Sequence, residues 1–232
     1  SNTVLFRNKA SQGNPDENPA DPEAGAFANK VLEYNPAPSQ YMNTSYTAYE
    51  EGFTDVQVLA CATELLQDRT TCLFTLGGFG GNITVGFDHT IPNVPGEYDF
   101  KIYGNAYYDM YGTLLDKPGG NSEPGIVLVS KDTNGNGLPD DEWYELAGSE
   151  YNSPATIRNY EITYYRPTPA DGDVKWKDNQ GKEGYIYRNT YHTQGSYYPA
   201  WMPAEITFRG SRLADNSINE PRPGMPEHWV GY

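Results

Sequence analysis

The sequence predicts an all-β domain, a jelly roll or related β-sandwich, carrying one short helix. Three observations point there. Tyrosine, a strand-favouring residue, occurs 20 times in 232 residues. Glycine and proline, with 24 and 18 residues, supply turn chemistry throughout. Between the turns lie short runs with period-two alternation, clearest in Glu161-Ile162-Thr163-Tyr164 and Glu205-Ile206-Thr207-Phe208. Many short strands joined by irregular loops is the design of sandwiches and jelly rolls. Hydrophobic residues make up 37% of the chain, enough for a buried core. No repeat of solenoid length occurs, so one domain is the economical reading.

Residues 1–30 read as an irregular N-terminal leader or linker, since Gly13-Asn14-Pro15-Asp16-Glu17-Asn18-Pro19 carries turn chemistry at nearly every position. The alternative is an ordered arm wrapped around the domain, which then occupies 31–232. Val31-Leu32-Glu33-Tyr34 looks like a first strand cut short by Pro36 and Pro38. One helix is expected over 55–66. Thr54 and Gln57 make a capping box, and Val58, Leu59, Ala62, Leu65 and Leu66 recur at helical spacing.

After the helix the period changes to that of strands. A strand over 71–76 runs into Gly77-Gly78-Phe79-Gly80-Gly81. Such a cluster cradles phosphate when a helix N-terminus follows it. Here 83–88 reads as another strand, so a tight turn or bulge is expected. Further strands are expected over 98–103, 126–130, 143–146, 160–165, 174–176, 185–187 and 205–208. The ending His228-Trp229-Val230-Gly231-Tyr232 reads as cut inside a structured segment, with a closing strand expected beyond it.

The net charge of −15 disfavours nucleic acid and anionic lipid, both of which need clustered Lys and Arg. An acidic surface suits a protein that holds divalent cations. No apolar run approaches the length of a membrane span. Cys61 and Cys72 stand on the helix and the following strand pattern. They form either a disulfide closing a short loop or a pair of buried thiols, and their spacing matches no zinc pattern.

The strongest motif is Asp132-Thr133-Asn134-Gly135-Asn136-Gly137-Leu138-Pro139-Asp140-Asp141-Glu142. Calcium takes six to eight oxygens, and an EF-hand-type loop offers them from alternate positions around a sharp glycine turn. Asp132, Asn134 and Asn136 hold the first, third and fifth positions, and Gly137 takes the sixth. The Leu138 carbonyl serves as the seventh and Asp140 as the ninth. Trp143 stands where the bidentate glutamate normally does, so Glu142 or Asp141 must complete the shell. Strand patterns flank the loop on both sides. The expectation is therefore an inter-strand calcium loop of structural character, against the plainer reading of an Asn-Gly turn with solvated acids.

Catalytic signatures are absent from the sequence. The three histidines, His89, His192 and His228, belong to no His-Glu-x-x-His pair, and no Gly-x-Ser-x-Gly elbow occurs. His89 beside Asp88 resembles an oriented base but reads better as a structural histidine. Among the 31 Asp and Glu no pair stands out for glycoside hydrolysis, which is the enzymatic alternative to a non-catalytic chain. The segment 191–201 concentrates Tyr191, His192, Gln194, Tyr197, Tyr198 and Trp201, offering flat rings and polar tips for a sugar or a polar macrocycle. Packing of these rings on the sandwich edge accounts for them equally well. Tyr103, Tyr107, Tyr108 and Tyr111 form a second aromatic cluster.

Gly77 to His89, Tyr98 to Asn105, and the stretch from Ser122 through Asp132 to Leu146 together resemble the cell-surface proteins of Bacteroides-type gut bacteria. The likeness spans roughly residues 70–210. It implies a jelly-roll-like domain, export, and a lipid anchor on the outer membrane. It further implies nutrient uptake: capture of cobalamin for a TonB-dependent transporter, or of a glycan for a similar system. An adhesin or scaffold without a small ligand is the third reading. The Asp-x-His-x-x-Gly pattern of cobalt ligation is absent, because Asp88 and His89 are adjacent, so cobalamin would be held by surface contacts.

Overall fold

Strands make up most of the ordered elements among the described residues, as the alternation predicts, with a single α-helix among them. The computed structural model describes residues 2–8, 27–66, 73–104, 107–108, 120–121, 123–190 and 193–214. The helix, α1 (Asp55–Leu66), has the predicted bounds. Its capping box is complete: the Thr54 amide donates to Gln57 Oε1 at 3.0 Å and the Gln57 amide donates to Thr54 Oγ1 at 3.4 Å. Val58 and Ala62 are its buried positions, one turn apart on one face.

Five strands form the first sheet: β1 (Asn2–Asn8), β2 (Lys30–Asn35), β3 (Asn82–Gly86), β6 (Gly125–Lys131) and β7 (Trp143–Glu145), in the order β2-β3-β1-β6-β7. β1 lies in the middle, parallel to β3 and β6, with Val4 opposite both Ile83 and Val127. The outer pairs are antiparallel. This corrects the expectation of an irregular leader over 1–30: its first residues are an ordered central strand. A central strand reads as a continuous apolar run, here Val4-Leu5-Phe6, and so shows no alternation. Residues 9–26 of the leader lie outside the described residues. α1 covers the edge of this sheet, where Thr63 Oγ1 accepts from the Val31 amide at 3.0 Å and meets the Val31 carbonyl at 3.4 Å.

The second sheet is wholly antiparallel: β8 (Ile157–Tyr165), β9 (Val174–Asp178), β10 (Glu183–Ile186) and β11 (Glu205–Arg212), in the order β10-β9-β8-β11. Two short strands, β4 (Tyr107–Tyr108) and β5 (Gly120–Asn121), pair separately. Each main sheet has its own core. Val31, Tyr34, Ile83 and Val85 pack with Val58 and Ala62 of α1, while Tyr160, Ile162, Tyr164, Val174, Ile206 and Phe208 form the inner face of the second sheet.

Buried tyrosines tie these cores to the loops. Tyr34 donates to the Thr75 carbonyl at 2.7 Å, Tyr164 to the Phe79 carbonyl at 3.1 Å and Tyr160 to Asp178 Oδ2 at 2.8 Å. Burial pushes the Tyr34 and Tyr164 phenols well above their ordinary value, and burial with the Asp178 bond pushes Tyr160 up to about 12. Each ring therefore fills a core while its hydroxyl keeps the proton it donates.

Two expected strands are loops. Over 73–76 the backbone bonds outward to other loops, Thr75 to the Tyr46 carbonyl at 2.9 Å and Ala37 to the Leu76 carbonyl at 2.9 Å. Over 98–103 the Asp99 side chain accepts from the Val94 amide at 3.0 Å, holding a turn, and only Phe100 reaches a core. The glycine cluster is a turn, as expected. Gly80 has φ +90°, and an added Cβ would sit 2.1 Å from Phe208 Cβ. Gly96 has φ +85° but open space around it. Gly96→Ala is expected to cost about 1 kcal/mol through backbone strain, and Gly80→Ala at least about 2 kcal/mol because Phe208 must also move. Urea unfolding measures both; equal losses would show that the approach to Phe208 carries no weight.

Candidate functional site

The loop over 132–142 joins β6 to β7, and its side chains turn back onto its own backbone. Asp132 is 5% exposed. Its Oδ1 accepts from the Gly135 amide at 2.9 Å and its Oδ2 from the Gly137 amide at 3.0 Å. Gly135 and Gly137, at φ +73° and +75°, give the backbone the curvature this needs. Asn134 Oδ1 accepts from the Asn136 amide at 2.9 Å, and Asn136 Oδ1 from the Leu138 amide at 2.7 Å. The two amide nitrogens then bracket one carboxylate, Asn134 Nδ2 on Asp140 Oδ1 at 3.2 Å and Asn136 Nδ2 on Asp140 Oδ2 at 2.9 Å.

The two candidates for the completing acid differ. Thr133 Oγ1 donates to Asp141 Oδ1, which folds that carboxylate back across the loop entrance. Glu142 is engaged by the Tyr144 hydroxyl at 2.6 Å, a bond that raises the Tyr144 phenol above its ordinary value. The donors of this loop are oxygens alone, the kind that calcium takes, and each amide oxygen keeps a second lone pair. Among the described residues no three His, Cys, Asp or Glu side chains converge as a metal-holding group. A cation here would therefore draw on the amide and main-chain oxygens as well as the acids.

The aromatic segment behaves otherwise than its composition suggests. Tyr191 and His192 lie outside the described residues. Tyr197 and Tyr198 are fully buried in the core of the second sheet. The Tyr197 hydroxyl accepts from the Asn189 amide at 3.2 Å, and the Tyr198 hydroxyl donates to the Pro203 carbonyl at 2.6 Å. Trp201 packs in the other core, stacked 5.1 Å from Tyr49 and 6.4 Å from Tyr34. Gln194 is half-buried, and its carbonyl accepts from Arg188 Nη2 at 3.1 Å. Tyr197, Tyr198 and Trp201 thus spend their rings on packing and form no open stacking platform. The physical reason is that large rings bury more apolar area inside a core than on its rim.

The remaining candidates are local. His89 Nδ1 meets Asp88 Oδ1 at 2.6 Å and its ring meets Phe87 edge-on at 5.8 Å, a structural setting at the exit of β3. Burial, aided by the Glu64 and Glu50 charges, pushes the Cys61 thiol up, away from reactivity. Cys72 and His228 lie outside the described residues. Unforeseen is a pair on the outward face of the second sheet: Tyr185 and Tyr187 are 47% and 62% exposed, with ring centroids 6.0 Å apart. Their spacing of two, across the end of β10, was the only signal available.

No protein-family model matches the chain, and no curated protein matches it.

Tyr197→Ala is expected to cost about 3–5 kcal/mol of stability, the range for emptying an aromatic site in a core. Chemical denaturation with near-UV circular dichroism measures this; a loss under about 1 kcal/mol would return the ring to the surface.

Proposed function

We propose that the chain is a non-catalytic, calcium-stabilised β-domain that captures a polar ligand at the outer surface of the cell. The observation that carries the calcium half is the bracketing of Asp140 by Asn134 and Asn136 around the turn set by Asp132. A cation seated among these oxygens would take over the charge neutralisation that the amide hydrogens supply, and Asp141 is the better placed acid to complete its shell. Strands on both sides make such an ion a structural clasp between β6 and β7.

Export, a lipid anchor and partnership with a TonB-dependent transporter rest on the resemblance to Bacteroides-type surface proteins. Cobalamin is the ligand that this resemblance implies. The segment that was to hold it buries Tyr197 and Tyr198. A glycan is the second reading, favoured by the exposed Tyr185 and Tyr187. An adhesin or scaffold role corresponds to a chain that takes neither.

The calcium reading is tested by elemental analysis and by melting with and without chelator. About one calcium per chain is expected, and calcium at a hundred times its Kd should add about 2.7 kcal/mol of stability. Asp140→Asn and Asp141→Asn should remove that gain, while Glu142→Gln should retain it. An unchanged melting curve in excess chelator, with no metal bound, refutes the clasp. Calorimetry against cyanocobalamin and a panel of plant and mucin glycans tests the ligand half, and silence from all of them refutes it.

A further inference from the structure

The outward face of the second sheet is built from alternate residues whose neighbours are core. Tyr185 of β10 stands opposite Lys175 of β9, Lys175 opposite Tyr165 of β8, and Tyr165 opposite Glu205 of β11. One step along, Glu183, Lys177, Thr163 and Thr207 form a second row across all four strands. The intervening positions Val174, Tyr164 and Ile206 are buried on the other side, so these two rows face outward. Tyr187, beyond the end of β10, extends the first row past the sheet, its ring tilted 38° to that of Tyr185. Among the described residues no hydrogen bond engages either phenol, and the two side chains are 47% and 62% exposed.

The charges on this face nearly cancel. Glu183 lies 3.2 Å from Lys175 and 3.7 Å from Lys177, and Arg209 meets Glu161 at 2.6 Å. Glu205, opposite Tyr165, is a further acid, and Asp173, one step before Val174, is another, accepting from the Arg188 amide at 3.0 Å. On a chain of net charge −15 this is a surface close to neutral. Neutrality sets the occupant: phosphate-bearing partners need an excess of cations, and a cationic partner would prefer the acidic remainder of the chain. Tyrosines separated by ion pairs give too little continuous apolar area for a protein core to dock. Flat rings flanked by hydroxyls, ammonium groups and carboxylates match the alternating C–H faces and hydroxyls of a neutral sugar. The Thr163 and Thr207 hydroxyls, paired at 2.8 Å, add further polar tips on the same plane.

We propose that this face binds neutral oligosaccharides, with Tyr185 and Tyr187 stacking on successive sugar rings and Lys175, Lys177 and Glu183 bonding their hydroxyls. The inference rests on the reading of the chain as a ligand-binding domain and moves the binding surface from 191–201 to the second sheet. Both tyrosines are exposed and rigid, so they supply contact area at small entropic cost.

Affinity electrophoresis in gels containing glucomannan, xylan or starch tests it, followed by calorimetry with the hexasaccharide of whichever polymer retards the protein. Cyanocobalamin is titrated in parallel. Retardation by at least one neutral polymer is expected, insensitive to about 0.5 M salt because no net charge is matched. The double variant Tyr185→Ala/Tyr187→Ala should weaken binding at least tenfold with an unchanged melting temperature. Tyr187→Ala alone should weaken it without touching β10, and Tyr144→Ala, an exposed tyrosine elsewhere, should not. Undiminished binding by the double variant overturns the inference, as does a concentration-dependent dimer that this variant abolishes without any sugar binding. Binding of cyanocobalamin with no neutral polymer overturns the inference and leaves the ligand-binding reading standing. Silence from sugars and cyanocobalamin together overturns both.

Discussion

The segment 196–203 divides its aromatic rings between two cores, and that division ties the two sheets together. Tyr197 and Tyr198 go into the core of the second sheet and Trp201 into the core under α1. Asn43, in the left-handed conformation at φ 56°, fixes the bend between them. Its Nδ2 donates to the Tyr198 carbonyl at 2.9 Å and the Ser196 carbonyl at 3.3 Å, and its Oδ1 accepts from the Ala200 amide at 2.7 Å. The Ser39 amide adds a bond to the Tyr197 carbonyl at 3.0 Å. A single side chain thus bonds three main-chain groups of an irregular segment.

This division has a functional consequence. The stretch richest in rings is committed to holding the fold, so a ligand of the proposed kind would have to meet surfaces that the fold leaves outward. One such surface is the Tyr185 row of the second sheet, at the sheet's β10 edge. The acidic loop between β6 and β7 belongs to the opposite edge of the first sheet. A cation there, as proposed, would close the connection of two strands and leave the tyrosine face untouched. The proposed clasp and the proposed platform lie on different sheets, and each is addressed by its own variants.

Much of this was legible in the sequence wherever the determinants are local. The capping box of Thr54 and Gln57 and the spacing of Val58 and Ala62 give the helix its bounds without help from distant residues. Alternation in Glu161-Ile162-Thr163-Tyr164 identifies β8 because one face is buried and the other wet. The turn over 132–142 is likewise written in its own residues, with Asp132 bonding Gly135 and Gly137. β1 was hidden because its apolar run Val4-Leu5-Phe6 is short and carries no alternation. The role of Tyr197, Tyr198 and Trp201 was hidden because Asn43, which fixes them, lies far away in the chain, and composition alone does not tell a ring in a core from a ring on a rim. The 98–103 run failed for the converse reason: its alternation is present, but its backbone belongs to a turn held by Asp99.

Coupling of the two sheets through 196–203 is the central claim, and native-state hydrogen exchange tests it directly. The amides of Ile83 and Val85 report on the first sheet, and those of Ile162 and Phe208 on the second. With one segment packed in both cores, all four should open with the same free energy as denaturant is raised. Full protection of Ile162 and Phe208 under conditions where Ile83 and Val85 exchange freely would contradict it, because the second sheet would then stand without the first.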